Sequence, residues 1–347
     1  VNTDMDEITL TIPYLYDFKL KPTFTVSGSG CTVKVNGETQ VSGETEVDFT
    51  YPVTYTVVNN KGASRDYTVK VTNTGLPVVV IEQSGTGDFD KVYKDIWAQL
   101  SGKTPYNQFV DFMIRGKDTE WVENDEITVY NPDGSVNLET SLCGARLRGN
   151  TTQEYPKKPF AIKLKKKKSV LGMPEHKRWV LLANWLDHSM IRNTVAFDIA
   201  QVIEHAWRQS DNAIGNGIPW SVHGQNVELV FIENGEAHHV GNYYLCEQIK
   251  IDGNRLNIND SYEDVIENNA NPSLADCGYL LEFDSKDDND PYFKTSNGIK
   301  VKFKDDAIDG TSLSTQVKSI VQDIEDKLDA GNYSAAYEKL DINSVID

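Results

Sequence analysis

The chain has 347 residues, a formal net charge of −18 at pH 7 and a pI near 4.8. This acidity excludes general binding to nucleic acids or anionic membrane surfaces, because the overall field of the protein repels phosphate groups. Hydrophobic residues make up 39% of the chain, which is enough for a folded core and argues against disorder. The length predicts two domains, or one large domain with an appendage, and no apolar run is long enough for a transmembrane helix.

The cysteines and the first residue bear on the compartment. Four cysteines lie far apart and fit no zinc spacing, so we expect buried free thiols: Cys31, Cys143, Cys246 and Cys277. They neither prove nor exclude an oxidising compartment. The chain begins at Val1 without a signal-peptide pattern, which we interpret as a mature or trimmed form.

Residues 1–74 consist of short alternating segments rich in Thr and Val, separated by Gly and Asn turns. This pattern predicts a small antiparallel β-sandwich, with a type I′ hairpin turn at Asn36-Gly37. The segment resembles the immunoglobulin-like modules that precede larger domains on bacterial surface proteins, especially Bacteroidetes lipoproteins. The resemblance implies a spacer at the cell surface.

A second domain is predicted from residue 75 to the end of the chain. An apolar run predicts a buried strand at 78–82, and helical spacing predicts a helix at 90–100. Further strands are predicted at 111–116 and 127–136, the latter containing a turn at 132–134.

The segment from Arg146 to Lys168 contains nine Lys and Arg residues and one Glu. Cations gathered in one part of an acidic chain predict a site for an anion such as phosphate. Polar and apolar residues alternate here with a period of two. This alternation predicts a half-buried strand at 158–164 that presents its cations on one face. The cations concerned are Arg148, Lys157, Lys158 and Lys163, and the apolar residues of the alternation are Phe160, Ile162 and Leu164. The run Lys165–Lys168 has an alternative interpretation as a solvated hairpin tip.

The next elements are predicted as an apolar strand at 178–187 and a helix at 191–207, with Asp187 well placed to cap that helix. Apolar residues recur at helical spacing in the helix: Ile191, Val195, Ile199 and Val202.

Residues 227–251 predict a hairpin around Asn234-Gly235. A strand at 277–284, a helix at 313–328 and the start of another helix at 341–347 complete the chain. The fold class is therefore α+β, a β-sandwich followed by a lobe with an antiparallel sheet and a packed helix.

Four segments in this order resemble the spore-coat kinase CotH family: residues 148–164, 170–200, 227–252 and 277–284. The resemblance covers roughly residues 78–347. It implies an atypical protein-kinase-like fold that binds ATP with Mg²⁺ or Mn²⁺ and transfers phosphate to serines of a protein substrate.

The resemblance also implies which residues contact the nucleotide. Arg148 and Lys158 lie in the RG…KK block of the family and are expected to contact its phosphates. Lys163, in AIK, mimics the strand lysine of protein kinases. For Arg148 and Lys158 the alternative is a strand-surface charge paired with a carboxylate.

Three further residues are expected to contact the nucleotide, two at the start of the helix at 191–207 and one, Glu247, in the strand that follows the 234–235 turn. Arg192 and Asn193 open this helix, and helix N-termini favour anions. Arg192 has the alternative of bracing Asp187 or Glu247. Glu247 is expected either to contact the nucleotide or to pair with Lys158, because a carboxylate in an apolar strand needs a partner.

The metal-binding acids that the resemblance implies follow a motif similar to 341–347, as Asn-x-Asp and then Trp-Asp-x-Asp. This sequence reaches Asp347 before either motif could follow at that position, and it contains no Trp-Asp pair. The acidic runs 284–290 and 304–306 are interpreted as solvated turns with at most weak calcium binding. We therefore assign no metal ligand here, leave the catalytic residues unidentified, and expect the 347-residue chain to be catalytically silent although a longer parent protein is expected to be a kinase.

Alternative functions remain open. A non-catalytic surface binding or adhesion module with a CotH-like fold is one, and carbohydrate binding by Trp185, Trp207 and Trp220 is another. In either case we expect a monomer at the cell surface or outside the cell, anchored as a lipoprotein after signal removal.

Overall fold

The computed structural model describes residues 6–12, 18–82, 121–209, 220–233, 236–285 and 290–340. The chain divides into two compact units, Val1–Met190 with Gly224–Cys246, and Ile191–His223 with Glu247–Asp347. Both strands and helices are present, and strands predominate. Four predicted elements lie outside the described residues: the helix at 90–100, the strand at 111–116, the turn at Asn234-Gly235 and the helix start at 341–347.

The N-terminal part of the first unit contains a five-stranded sheet and a two-stranded sheet. The strands are β1 Glu7–Thr11, β2 Lys19–Leu20, β3 Thr32–Val35, β4 Glu38–Thr39, β5 Val47–Asp48, β6 Val53–Val58 and β7 Ser64–Thr72. The larger sheet has the order β1-β7-β6-β3-β4, and β2 pairs with β5. Apolar side chains from both sheets form one core, with Phe49 and Tyr55 stacked at 6.2 Å between ring centroids.

One strand pair of this region differs from the predicted antiparallel arrangement. β1 runs parallel to β7, with Ile8 opposite Val69. A long stretch of chain separates these strands, so no tight hairpin forces them to be antiparallel. The predicted type I′ turn is confirmed, since Asn36 and Gly37 both have positive φ, 51° and 86°, between β3 and β4.

Seven strands of the first unit close into a barrel in the order β10-β11-β12-β14-β13-β8-β9. They are β8 Val78–Glu82, β9 Val122–Tyr130, β10 Val136–Leu147, β11 Phe160–Val170, β12 Met173–Leu182, β13 Gly224–Glu233 and β14 Glu236–Glu247. The prediction of an antiparallel sheet needs correction, because β8 runs parallel to β13, with Val80 opposite Val230. β8 also pairs antiparallel with β9, so it joins β13 to β9 and closes the ring, which leaves no exposed sheet edge.

Alternate residues of the barrel strands point inward and form its core. Phe160 packs edge-on against Phe231 with ring centroids 5.6 Å apart, and Trp179 is buried beside them in the same cluster. Phe160, Ile162 and Leu164 are all buried, which confirms the period of two predicted for this strand. Of the two positions between them, Ala161 is also buried and Lys163 is partly exposed.

The hairpin of β11 and β12 turns later than one interpretation of the sequence placed it. Lys165–Lys168 are exposed but belong to β11, whereas the turn consists of Leu171 and Gly172, with φ of 51° and 78°. The hairpin-tip interpretation of these lysines is therefore wrong. The strand continues to Val170 because Val170 and Met173 are buried on either side of the turn.

The second unit contains four helices and a three-stranded sheet within its described residues. The helices are α1 Arg192–Gln209, α2 Tyr262–Ile266, α3 Ser312–Asp329 and α4 Tyr333–Tyr337, and the strands are β15 Leu281–Phe283, β16 Tyr292–Lys294 and β17 Lys300–Phe303. Short 3-10 helices occur at Thr151–Glu154 in the first unit and at Leu274–Asp276 and Asp306–Ile308 in the second. A core around Val301, Phe303 and Leu313 joins the sheet to α3. The predicted helix at 313–328 is confirmed, while the predicted strand at 277–284 is reduced to β15.

The segment before α1 differs from prediction. β12 ends at Leu182, not at Asp187. The Asp187 carboxylate accepts hydrogen bonds from the backbone N–H of Ser189, at 3.1 Å, and from its hydroxyl, at 2.5 Å. Asp187 therefore closes a local turn, and the residue that directly precedes α1 is Ile191, because the helix begins at Arg192.

The apolar residues predicted to recur along α1 are exposed. Ile191, Val195, Ile199 and Val202 each have about half or more of their surface accessible. The predicted helix is present as α1, but the structure shows its apolar face exposed among the described residues. No helix in the described part of the chain is long and apolar enough to cross a membrane.

The thiols are free in the described structure. Cys143, Cys246 and Cys277 are buried and Cys31 is partly exposed. The expected burial of free thiols therefore holds for three of the four.

Gly224 tests the close packing of β13 on β14. A Cβ at this position would lie 2.6 Å from the Leu245 carbonyl oxygen and 2.6 Å from the Cβ of Cys246. We expect Gly224→Ala to lower the free energy of unfolding by about 1–3 kcal/mol, because the added carbon forces the strands apart. Gly253→Ala is the control, since a Cβ there meets nothing within 4 Å. Equal loss in both variants, measured by denaturant unfolding, would contradict this account.

Candidate functional site

Three cations surround one indole on the outer face of the barrel. Trp121 immediately precedes β9, and its ring lies 4.7 Å from the guanidinium carbon of Arg146 and 4.7 Å from that of Arg178. The Lys163 ammonium lies 5.9 Å from the same ring. We call these four residues the Trp121 cluster.

Strand register brings the cluster together. Lys163 in β11 lies opposite Arg178 in β12 and opposite Gly144 in β10, and Arg146 follows two residues after Gly144. Their neighbours Ala145, Ile162 and Trp179 belong to the barrel core, so the cations face outward. Gly144 leaves room beside Glu123, whose carboxyl group would lie 3.2 Å from a Cβ added there.

The electrostatics of the cluster favour an anion. Burial lowers the pKa of Arg146 and of Arg178, and the charge of Arg146 lowers the pKa of Arg178 further. The Nε of Arg146 is buried and has no hydrogen-bond partner within the described residues. Glu123 raises the pKa of Arg178 but is also paired with Lys165 at 2.8 Å. The cluster therefore combines positive charges that repel one another with the buried Nε–H donor of Arg146. A bound phosphate group would neutralise the charges and accept a hydrogen bond from this donor.

The predicted lysine pair 157–158 is largely buried and bonded to the backbone. The Lys158 side chain is buried, and its ammonium donates to the carbonyl of Gln153. Lys157 donates to the carbonyl of Asn242 and lies over the ring of Tyr243, at 4.5 Å. Burial lowers the pKa of Lys157 to about 8. Both lysines hold the loop before β11, so a phosphate contact by Lys158 stays a prediction that requires its bond to Gln153 to open.

Arg148 and Arg192 lie in different units. Arg148 follows β10 and is half-buried, and burial is the main cause that lowers the pKa of its guanidinium. Its backbone N–H donates to the Pro159 carbonyl at 3.1 Å. Arg192 is the first residue of α1 and is exposed, as is Asn193. Their nucleotide contacts stay predictions.

Glu247, the residue at which β14 ends and the second unit resumes, forms the centre of a polar network in which Glu247 and Arg255 are buried and His223 is partly exposed. Its Oε2 accepts from Trp220 Nε1 at 3.0 Å and from the backbone N–H of His223 at 3.0 Å, and it lies 2.9 Å from His223 Nδ1. Its Oε1 lies 3.3 Å from Nε of Arg255, and both side chains are fully buried. Trp220, His223 and Arg255 thus supply the partners that a carboxylate in this apolar strand was expected to need. A nucleotide contact by Glu247 stays a prediction.

Three acids in and beside the acidic runs are paired with lysines. Lys302 lies 2.8 Å from Asp284, and Lys304 lies 2.9 Å from Glu282 and 3.3 Å from Asp290. Across the described ranges, no group of three or more His, Cys, Asp and Glu residues is arranged to hold a metal ion. No metal ligand is therefore assigned in this part of the chain.

Sequence reasoning found Lys163 but missed its three neighbours in the cluster. Arg146 had a usable signal, since it lies near the end of β10 and precedes Arg148 by two residues. Arg178 gave no such signal in the sequence, because its proximity to Lys163 depends on the register between β11 and β12. Trp121 lies far from the basic segment in sequence and becomes its neighbour only when β9 pairs with β10.

Comparisons with known families match two segments of the chain. A family model described as CotH kinase protein matches residues 145–347, which is more than half of the chain. A model described as SGBP, N-terminal, matches residues 1–71. The second match indicates a surface-associated protein and agrees with the surface module predicted there. A comparison with curated proteins finds no match.

Proposed function

Because the chain belongs to the CotH kinase protein family, we propose that it is a CotH-type phosphotransferase acting on serines of a protein at the cell surface or outside the cell. The Trp121 cluster is the observation that supports this most directly, since it gathers three cations on one rigid sheet. We further propose that the cluster binds the phosphates of ATP.

The residues of the cluster would act by holding charge in place. Arg146 and Arg178 present planar guanidinium groups that donate paired hydrogen bonds to phosphate oxygens, and Lys163 adds a point charge. Binding of an anion relieves the repulsion among these cations. A divalent metal bound with ATP would neutralise charge on the transferred phosphate. Arg148, Lys158, Arg192 and Glu247 are proposed as further nucleotide contacts.

Lys163→Met tests the role of the cluster. A hydrogen bond to a charged group is worth about 1.5–3 kcal/mol, so loss of the ammonium is expected to weaken ATP binding by about 10–100-fold. ATP binding is measured on this chain by calorimetry, and transfer of labelled γ-phosphate is measured on the full-length gene product with Mg²⁺ or Mn²⁺. Lys294→Met, at an exposed position of β16, is the matched control.

Lys158→Ala distinguishes the role of Lys158 from that of Lys163. Because Lys158 is buried against Gln153, this variant is expected to lower the melting temperature, whereas Lys163→Met leaves it unchanged. Undiminished ATP binding by Lys163→Met would contradict the proposed role of the cluster, whatever Lys158→Ala does.

A second candidate function is a non-catalytic surface binding module. The match of residues 1–71 to an SGBP N-terminal model favours it, and an anchored lipoprotein with its signal removed is the corresponding location that we propose. Absence of phosphate transfer by the full-length protein under either metal would make this candidate the better one. Detection of the mature protein only in the cytoplasm would exclude the surface location.

A further inference from the structure

The hairpin of β11 and β12 carries a second positively charged surface beside the Trp121 cluster. Residues 160–182 contain seven Lys and Arg and a single acid, Glu175, although the whole chain has a net charge of −18. Five of these cations are exposed, and we call them the hairpin lysines: Lys165, Lys166, Lys167, Lys168 and Lys177.

Irregular strand pairing concentrates these charges. Lys163 lies opposite Arg178 and Lys168 lies opposite His176, so the four residues 164–167 of β11 face the single residue Lys177 of β12. Extra residues in a bulge lack a ladder partner and bend the strand. The run Lys165–Lys168 is therefore exposed throughout, where a regular strand would turn every second side chain toward the interior.

The negative charge near this surface is accessible to solvent. Lys165 pairs with Glu123 at 2.8 Å, with side-chain exposures of 47% and 35%. Exposed ion pairs of this kind contribute little to stability, so an incoming carboxylate can replace Glu123 at small cost. The surface as a whole keeps an excess of positive charge.

We propose that the hairpin lysines bind an acidic segment of a partner protein. At about 3.3 Å per residue the run Lys165–Lys168 extends over roughly 10 Å, which suits several carboxylates in a row better than one phosphate. Charge is screened beyond about 8–10 Å at moderate salt, so a short acidic segment senses mainly the local lysines. A long polyanion such as nucleic acid would also be repelled by the rest of the protein, which is negatively charged. This binding does not depend on phosphate transfer.

The test uses a fluorescein-labelled peptide of about eight Glu residues and its Gln counterpart, both measured by fluorescence anisotropy without ATP. The whole chain is compared with Lys166→Glu/Lys168→Glu and with Lys318→Glu/Lys339→Glu. The control pair makes the same change in net charge at exposed positions in and near α3 and α4. Lys166→Gln/Lys168→Gln provides a milder change, and circular dichroism checks that each variant is folded.

We expect the Glu peptide to bind and the Gln peptide not to bind. Reversal of the two hairpin lysines is expected to weaken binding at least about tenfold, as is a rise in NaCl to several hundred millimolar, because the attraction is screened. The Gln variant is expected to show an intermediate loss, and the control pair less than about twofold. Equal loss in the control pair would overturn the proposal, as would equal binding of the Gln peptide or tighter binding of duplex DNA or polyphosphate.

Discussion

Glu247→Ala is expected to lower the free energy of unfolding of the second unit by about 3–5 kcal/mol. The Glu247 and Arg255 side chains are fully buried, 3.3 Å apart, and the same carboxylate accepts from Trp220 and His223. Removing the carboxylate takes away the ion-pair partner of buried Arg255 and the acceptor of two N–H donors, the Trp220 indole and the His223 backbone. Buried groups that lose such a partner bear the full cost of having left water.

Chemical denaturation followed by circular dichroism and by tryptophan fluorescence measures this effect, with Trp220 contributing as one of six tryptophans. Glu282→Ala is the control, because Glu282 pairs with Lys304 at the surface. Its removal is expected to cost less than about 1 kcal/mol. If Glu247→Ala and Glu282→Ala lose similar stability, the Glu247 network is not the structural centre described above. Glu247→Gln, which retains the volume, should lie between the two.

The stability of the barrel is expected to fall as pH rises toward 7, because of Asp125. This carboxyl is fully buried opposite Cys143 in β10, and neither of its oxygens has a hydrogen-bond partner within the described residues. Burial, with the nearby charge of Glu123, raises its pKa from 3.8 to about 7. The folded protein therefore holds this proton at pH values where the unfolded chain has released it.

Asp125→Asn should remove this pH dependence. A raised pKa in the folded state gives stability that is present at low pH and lost progressively from pH 3.8 up to about 7. Two pH units at 1.36 kcal/mol each predict that the stability of Asp125→Asn relative to the native chain grows by about 3 kcal/mol between pH 5 and pH 8. Denaturant unfolding at these two pH values measures the difference.

Asp133→Asn is the control for this experiment. Asp133 is exposed, and hydrogen bonds from Ser135 lower the pKa of its carboxyl, so its ionisation does not change between pH 5 and pH 8. We expect its relative stability to be flat across this range. A flat profile for Asp125→Asn as well would show that Asp125 is hydrated or paired in solution.

Much of the secondary structure could be predicted from local patterns. The apolar run at 78–82, the alternation around Phe160 and Leu164, and the Asn36-Gly37 turn all correspond to observed elements. Each depends on residues close together in the chain, whose spacing reflects the geometry of a strand or turn. Asp187 was misassigned for a related reason, since a short local bond to Ser189 competed with helix capping.

The sequence by itself determined the family, the strand-rich character and the gathering of cations between Arg146 and Lys168. Only the tertiary structure decided what each cation does. Lys158 is buried against a backbone carbonyl, while Lys163 lies beside Trp121 with two arginines that come from other strands. The reason is that partners in a barrel are set by register and closure between strands distant in sequence. The sequence specifies the charge at each position but not the neighbour across the strand.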